Sequence, residues 1–154
     1  MSLRPNLGDF CSIVCFKYAI LGIEDVLGVD GAATVLIRAG RIRGETVAKD
    51  AGLAGSNPPA DTIGVTLNKF LGKEGTCLCE IESVAQMGDK LVVRTQETLC
   101  SAGEEPGSQR KCTYTLGAVQ GFLEATTGRK LVGKHEECVL RGGKADVFVF
   151  SDVP

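Results

Sequence analysis

The sequence predicts a single α+β domain, an antiparallel sheet of about four strands in two hairpins packed on several α-helices. Three observations carry that prediction. Apolar segments suited to helices fill the chain up to Leu71 and return from Cys112 to Thr127. The period changes to two from Cys77, and again from Leu131 to Phe150, each time around a glycine turn. A chain of 154 residues with no internal repeat and no evident linker is most economically one domain, able to bury roughly two thirds of the surface its unfolded form exposes.

The elements follow in order. Phe10 to Leu27 is nearly all apolar and proline-free, and reads as a long buried helix that ends before Gly28. Cys11 and Cys15 lie one turn apart on it, as small residues packed in the core. Asp30 can cap a second helix through Ala32, Leu36 and Ile37, and a third, short helix follows from Glu45 beyond the Gly40 and Gly44 brackets. Residues 55–61, GSNPPAD, are a loop. Asp61 or Thr62 caps a helix with Ile63, Leu67, Phe70 and Leu71 on its apolar stripe.

CLCEIESVAQMGDKLVVRTQETLC reads as strand, turn at Met87-Gly88-Asp89, strand, with Cys77 and Cys79 on one face. Glu80, Glu82, Arg94 and Gln96 fall on the wet side. SAGEEPGSQRK, 101–111, has the composition of a disordered loop. Cys112 to Thr127 is an amphipathic helix with Leu116, Val119, Phe122 and Leu123 inward, and Gly117 and Gly121 make a surface another backbone can approach closely. Gly128 stops it. LVGKHEECVL, Gly142-Gly143 and KADVFVF form the terminal hairpin.

Composition excludes several functions. Seventeen basic and nineteen acidic side chains give a net charge of -2 with no long Lys/Arg cluster, which argues against nucleic acid as a partner, because phosphate binding needs concentrated positive charge. The run from Phe10 to Leu27 is interrupted by Lys17, Glu24 and Asp25, so it is neither a membrane span nor a signal peptide. A cytoplasmic protein is expected. The seven cysteines lack the dense regular spacing of a disulfide framework and are therefore thiols, metal ligands or small hydrophobes.

Gly128, Gly133 and Lys134 copy part of a nucleotide-binding P-loop, but a helix precedes these glycines and a strand follows, the reverse of what phosphate binding requires. His135 stands where the magnesium-binding hydroxyl belongs. No nucleophile elbow or acid/base constellation appears elsewhere, which points away from an enzyme.

The segment from Cys112 to Phe150 resembles the C-terminal half of the vinyl-4-reductase domain, a small-molecule-binding module with a fold similar to TRAPP tethering subunits. Its cysteine, small-residue helix, glycine stop, acidic-x-x-Cys strand and aromatic-ended strand carry the resemblance. AGRIRGETVAKDAGL resembles the more degenerate N-terminal half, so the domain is expected over residues 8–151, with tails at 1–7 and 152–154. The resemblance implies a homodimer that binds a hydrophobic ligand, hydrocarbon, aromatic or tetrapyrrole-like. It also implies a structural zinc, whose ligand positions fall on Cys112, His135, Cys138 and Asp146. Two match the family's residue types; His135 replaces a glutamate and Asp146 a cysteine. Imidazole and carboxylate are competent zinc ligands, so His135 is either a substituted ligand or the mark of a vacated site. A thiolate at Cys112 is expected to benefit from the helix dipole. The hairpin offers a check: a two-residue turn separates Cys138 and Asp146 onto opposite faces, whereas a three-residue loop unites them.

The expected function is therefore non-catalytic binding of a small hydrophobic ligand in an apolar pocket with a structural metal. The alternatives are an accessory or reductase in tetrapyrrole metabolism, and a dimeric scaffold like the tethering subunits.

Overall fold

Residues 3–154 are described by the structure, a computed structural model. Ser12 opens the first helix, α1 (Ile13–Asp50), its hydroxyl accepting from the Val14 amide at 3.1 Å. The break expected before Gly28 is present, with Gly28 at φ 71° and ψ 170°, a conformation open essentially to glycine alone. Beyond it the chain resumes the helix and runs unbroken to Asp50. The separate helices expected from Asp30 and Glu45 are one, because Gly40 and Gly44 serve a contact and not a turn.

That contact is with α3 (Thr113–Thr127). A methyl group on Gly40 would strike the Tyr114 carbonyl, one on Gly44 the Ala118 carbonyl, and one on Gly117 or Gly121 the carbonyls of Ile37 or Arg41. Four glycines thus let two helix backbones touch. The approach predicted at Gly117 and Gly121 is realised within the chain. Arg41 crosses the seam to Glu124 at 2.6 Å.

α2 (Ala60–Leu71) starts after Pro59, one turn earlier in its capping than Asp61 or Thr62 would give, and Asp61 instead sits in its first turn, where a carboxylate suits the dipole. Ile63, Leu67 and Leu71 are buried, while Phe70 is half-buried. α2 docks on the sheet through Asn68, which accepts from the Ile81 amide at 2.9 Å.

The sheet holds β1 (Glu80–Met87), β2 (Lys90–Gln96), β3 (Leu131–Glu137) and β4 (Asp146–Asp152) in the order β1-β2-β4-β3, all antiparallel. β1 does not reach back to Cys77, which is exposed with φ 53° while Cys79 is buried. The two do not share a face. Gly128 ends α3 in the left-handed conformation, its amide donating to the Glu124 carbonyl. Phe122, Phe148 and Phe150 are fully buried between α3 and the sheet, each worth roughly 2–3 kcal/mol of burial.

Neither hairpin geometry considered from the sequence occurs between β3 and β4. The connection 138–145 contains a 3₁₀ turn at Val139–Arg141, and β3 bulges between His135 and Glu137. A bulge re-aims the strand without reversing its pattern. His135 pairs with Phe148 and Glu137 with Val147.

The N-terminal part of α1 departs from its expected burial. Val14, Tyr18, Val26 and Leu27 are exposed, as are Cys11 and Cys15. The loop 101–111, disordered by composition, is held against this part of the helix by charge. Glu104 meets Lys17 and Arg110 at 2.7 Å each, and Arg110 meets Glu24 at 2.6 Å.

Candidate metal centre

Asp146, the first residue of β4, is fully buried, and four segments converge on it. His135 comes from β3, its Nε2 3.0 Å from Oδ1. Thr98 and Ser101 come from the chain after β2, both donating to Oδ2 at 2.9 Å. The Val139 amide reaches Oδ1 from the 3₁₀ turn at 3.4 Å. The Cys138 thiol lies close enough to this carboxylate to influence its ionisation. Burial by itself would raise the Asp146 carboxyl, but the hydrogen bonds from His135, Cys138, Thr98 and Ser101 outweigh it and hold the pKa at about 2. A carboxylate this well bonded is ionised at any physiological pH.

Cys112 closes the site from the start of α3. Its Sγ lies 3.3 Å from the Thr98 hydroxyl and 3.6 Å from that of Ser101. The helix dipole does not make it the favoured thiolate. Its hydrogen bond to Cys100 and its burial push the Cys112 thiol up, whereas Cys100, bonded by Cys112 and by the Thr115 and Tyr114 backbone, is lowered despite burial. Cys100 takes the helix N-terminus that the sequence assigned to Cys112. Cys79, pushed up to about 12 by burial and then by the nearby Cys112 and Asp146, borders the same cluster. Burial likewise raises Cys138.

Ligand atoms of Cys112, His135 and Asp146 all lie within 4.8 Å of one another. Tetrahedral zinc, with bonds of about 2.0–2.3 Å, places its donors roughly 3.3–3.8 Å apart, so a small closure of these three would seat an ion. Cys138 stands one step outside the mutual set, in contact with Asp146. The His135 ring leans on Phe148, centroids 5.1 Å apart. Its Nδ1 is buried with no hydrogen-bond partner among the described residues. An orphan imidazole nitrogen beside a thiol and an ionised carboxylate is a donor set that fits a metal.

Of the four residues singled out by sequence, three meet directly and the fourth touches them through Asp146. Thr98 and Ser101 were not foreseen. Their signal was slight: a Thr-x-Cys-Ser run just past a strand, with a spacing to Cys112 that only the folded loop makes short.

An apolar cavity of about 270 Å³ adjoins this cluster. Phe10, Phe16, Leu78, Leu99, Tyr114 and Cys77 form much of its wall, and Phe16 meets Tyr114 edge-on at 4.9 Å. Leu99 sits between Thr98 and Cys100, Tyr114 two residues after Cys112, and Leu78 beside Cys79. The wall of the cavity and the shell of the cluster are the same segments.

Two solved structures share this fold. One is the phenol-responsive sensory domain of the transcription activator PoxR with phenol, at a TM-score of 0.69 and 15% identity, the match covering 94% of this chain and 76% of that one. The other is a trafficking protein particle complex subunit 3 from Naegleria fowleri covalently bound to palmitic acid, at 0.57 and 16%, covering 93% of this chain and 98% of that one. No family model matches the chain and no curated protein does. The likeness therefore establishes the fold, an α+β domain of the sensory and tethering-subunit type, and residue roles rest on geometry. No helix among the described residues is long and apolar enough to cross a membrane.

Proposed function

We propose that the protein is a non-catalytic binding module, holding a small hydrophobic ligand in the cavity at the start of α3, with a structural zinc at Cys112, His135, Cys138 and Asp146. The observation that carries this is the grouping of Cys112 and His135 around the buried Asp146 carboxylate, with ligand atoms within 4.8 Å of one another, next to an aromatic-walled cavity. The ligands of the two fold neighbours, a phenol and a palmitoyl chain, support an apolar guest. Zinc would act as a cross-link between the start of α3, β3 and β4, and Thr98 and Ser101 tie the 98–101 segment to it through Asp146. Those segments carry Leu99 and Tyr114, so the metal would fix the cavity wall rather than touch the ligand. We further propose a cytoplasmic homodimer that uses the exposed apolar face of α1.

Zinc takes cysteine as thiolate, so binding must expel the protons that the raised Cys112 and Cys138 thiols retain. Metal analysis of untagged protein tests the reading: about one zinc per chain is expected, falling several-fold in Cys138→Ser. Stoichiometric absence of metal from protein refolded with zinc would overturn the metal part. Mass measurement of the native protein with added phenol tests the cavity, and failure to retain a phenol or a hydrocarbon would overturn that part.

A further inference from the structure

A second, larger cleft opens on the other side of the cluster, between α1, the start of α3 and β3, with a volume of about 530 Å³. Its two ends differ chemically. Ala33, Ile37 and Leu116 give it apolar lining, and Gly133 lets Leu116 and the Phe150 ring pack directly against β3, since a methyl group there would run into both. The rim carries Lys111, Lys134 and Arg141 against a single acid, Glu136. In a chain whose net charge is -2 this is a local excess of positive charge.

None of the three cations is neutralised. Lys111 and Lys134 are exposed and make no hydrogen bond or ion pair among the described residues, as is true of most of the chain's lysines, so their charges are free at the cleft. Arg141 has no carboxylate partner either. It is anchored by donating to the carbonyls of Ser108 at 2.8 Å and Arg110 at 3.1 Å, which fixes its charge at the cleft without cancelling it. His135 lines the same cleft with its side chain only 8% exposed and its Nε2 bonded to Asp146, so it forms wall and is not among the groups that hold a guest. The first turn of α3, with no acidic residue, opens here as well.

We infer that this cleft binds a small amphiphilic carboxylate, its charged end held by Lys111, Lys134 and Arg141 and its hydrocarbon laid along Ala33, Ile37 and Leu116. Cations grip a carboxylate through charge-assisted hydrogen bonds that an alcohol of equal length cannot match. Glu136 on the same rim disfavours a dianion such as a phosphate monoester. The site is distinct from the aromatic-walled cavity, and Cys112 and His135 of the proposed metal centre border it.

Octanoate and octanol, titrated into the full chain and followed by backbone amide NMR, separate the two cavities. Octanoate is expected to move the signals of residues 111–113 and 133–136 saturably, and to do so more weakly at high salt. Octanol is expected to leave those signals in place and to move those of residues 76–78, which report on the aromatic-walled cavity. Lys111→Gln with Lys134→Gln removes two exposed, unbonded charges without disturbing the fold, and should weaken octanoate roughly threefold to tenfold. Octanol acting at 111–113 and 133–136 as strongly as octanoate, an unchanged affinity in the double variant, or octanoate acting only at 76–78 would each overturn the inference. Silence of both probes at 76–78 would count against the ligand reading proposed above and leave this one standing.

Discussion

The two parts of α1 do opposite things, and the more apolar part is the more exposed. After Gly28 the helix is pressed against α3 so closely that glycine is required at Gly40 and Gly44, and Val47 and Ala48 are fully buried. Before Gly28 the same helix exposes Val14, Tyr18 and Leu27, touches the domain through Phe16, Ile20 and an ion-pair cluster, and lends residues to a cavity. Hydrophobicity does not separate them; the spacing of small residues does. A stretch that can bring backbone to backbone becomes framework, and a more apolar stretch that cannot is left as surface and pocket wall.

The contrast breaks hardest at the seam. Gly44→Val would drive two methyl groups into the Ala118 carbonyl and the Phe122 amide, backbone atoms that cannot yield without parting the helices. A loss of more than about 4 kcal/mol is expected, read as a collapse of the urea midpoint. Retention of most of the stability would show that the seam is not the framework.

Next in size is the buried carboxylate. Asp146→Ala strips the partner from Thr98, Ser101 and His135 together, and should cost about 3 kcal/mol by thermal or urea unfolding of metal-free protein. The same group sets an acid limit. Its folded pKa of about 2 is below its unfolded value of about 3.9, so its contribution is complete above pH about 4 and is lost as pH falls through about 2. The amount is on the order of 2 kcal/mol. Urea midpoints of the metal-free protein should therefore drop over that window, and the drop should be smaller in Asp146→Ala, where only ion-paired carboxylates such as Glu104 still contribute.

How far the sequence could be read follows the same division. Periodicity located the strands and α3, and Gly28 and Gly128 were legible because a glycine just past an apolar run has one common use. Cys112, His135, Cys138 and Asp146 could be set side by side because a family resemblance supplied their spacing. Gly40 and Gly44 were misread as brackets, since a glycine needed for a helix contact and one needed for a turn look alike in a single chain. The bulge after His135 and the 3₁₀ turn were not legible either, because they go with Asp146 bonding back to His135 and the Val139 amide, a pairing that strand periodicity does not encode. Thr98 and Ser101 reach the site through the folding of a loop, and no local pattern encodes that.

The hinge between the two regions should matter less than either the seam or the carboxylate. Gly28→Ala puts a side chain into φ 71°, ψ 170° with open space around it, so the expected cost is backbone strain alone, roughly 1–2 kcal/mol in urea unfolding. The smallest effect belongs to the exposed part. Tyr18→Asp removes a ring that is 69% exposed, and the unfolding free energy of the dilute protein should change by less than about 0.5 kcal/mol. At high concentration the outcome should diverge. If a second copy covers this face, as the proposed homodimer requires, the melting temperature of the unaltered protein rises with concentration and that of the variant does not. Equal concentration dependence in both would place the dimer contact elsewhere, and a large loss in dilute solution would mean that the N-terminal part of α1 is framework after all.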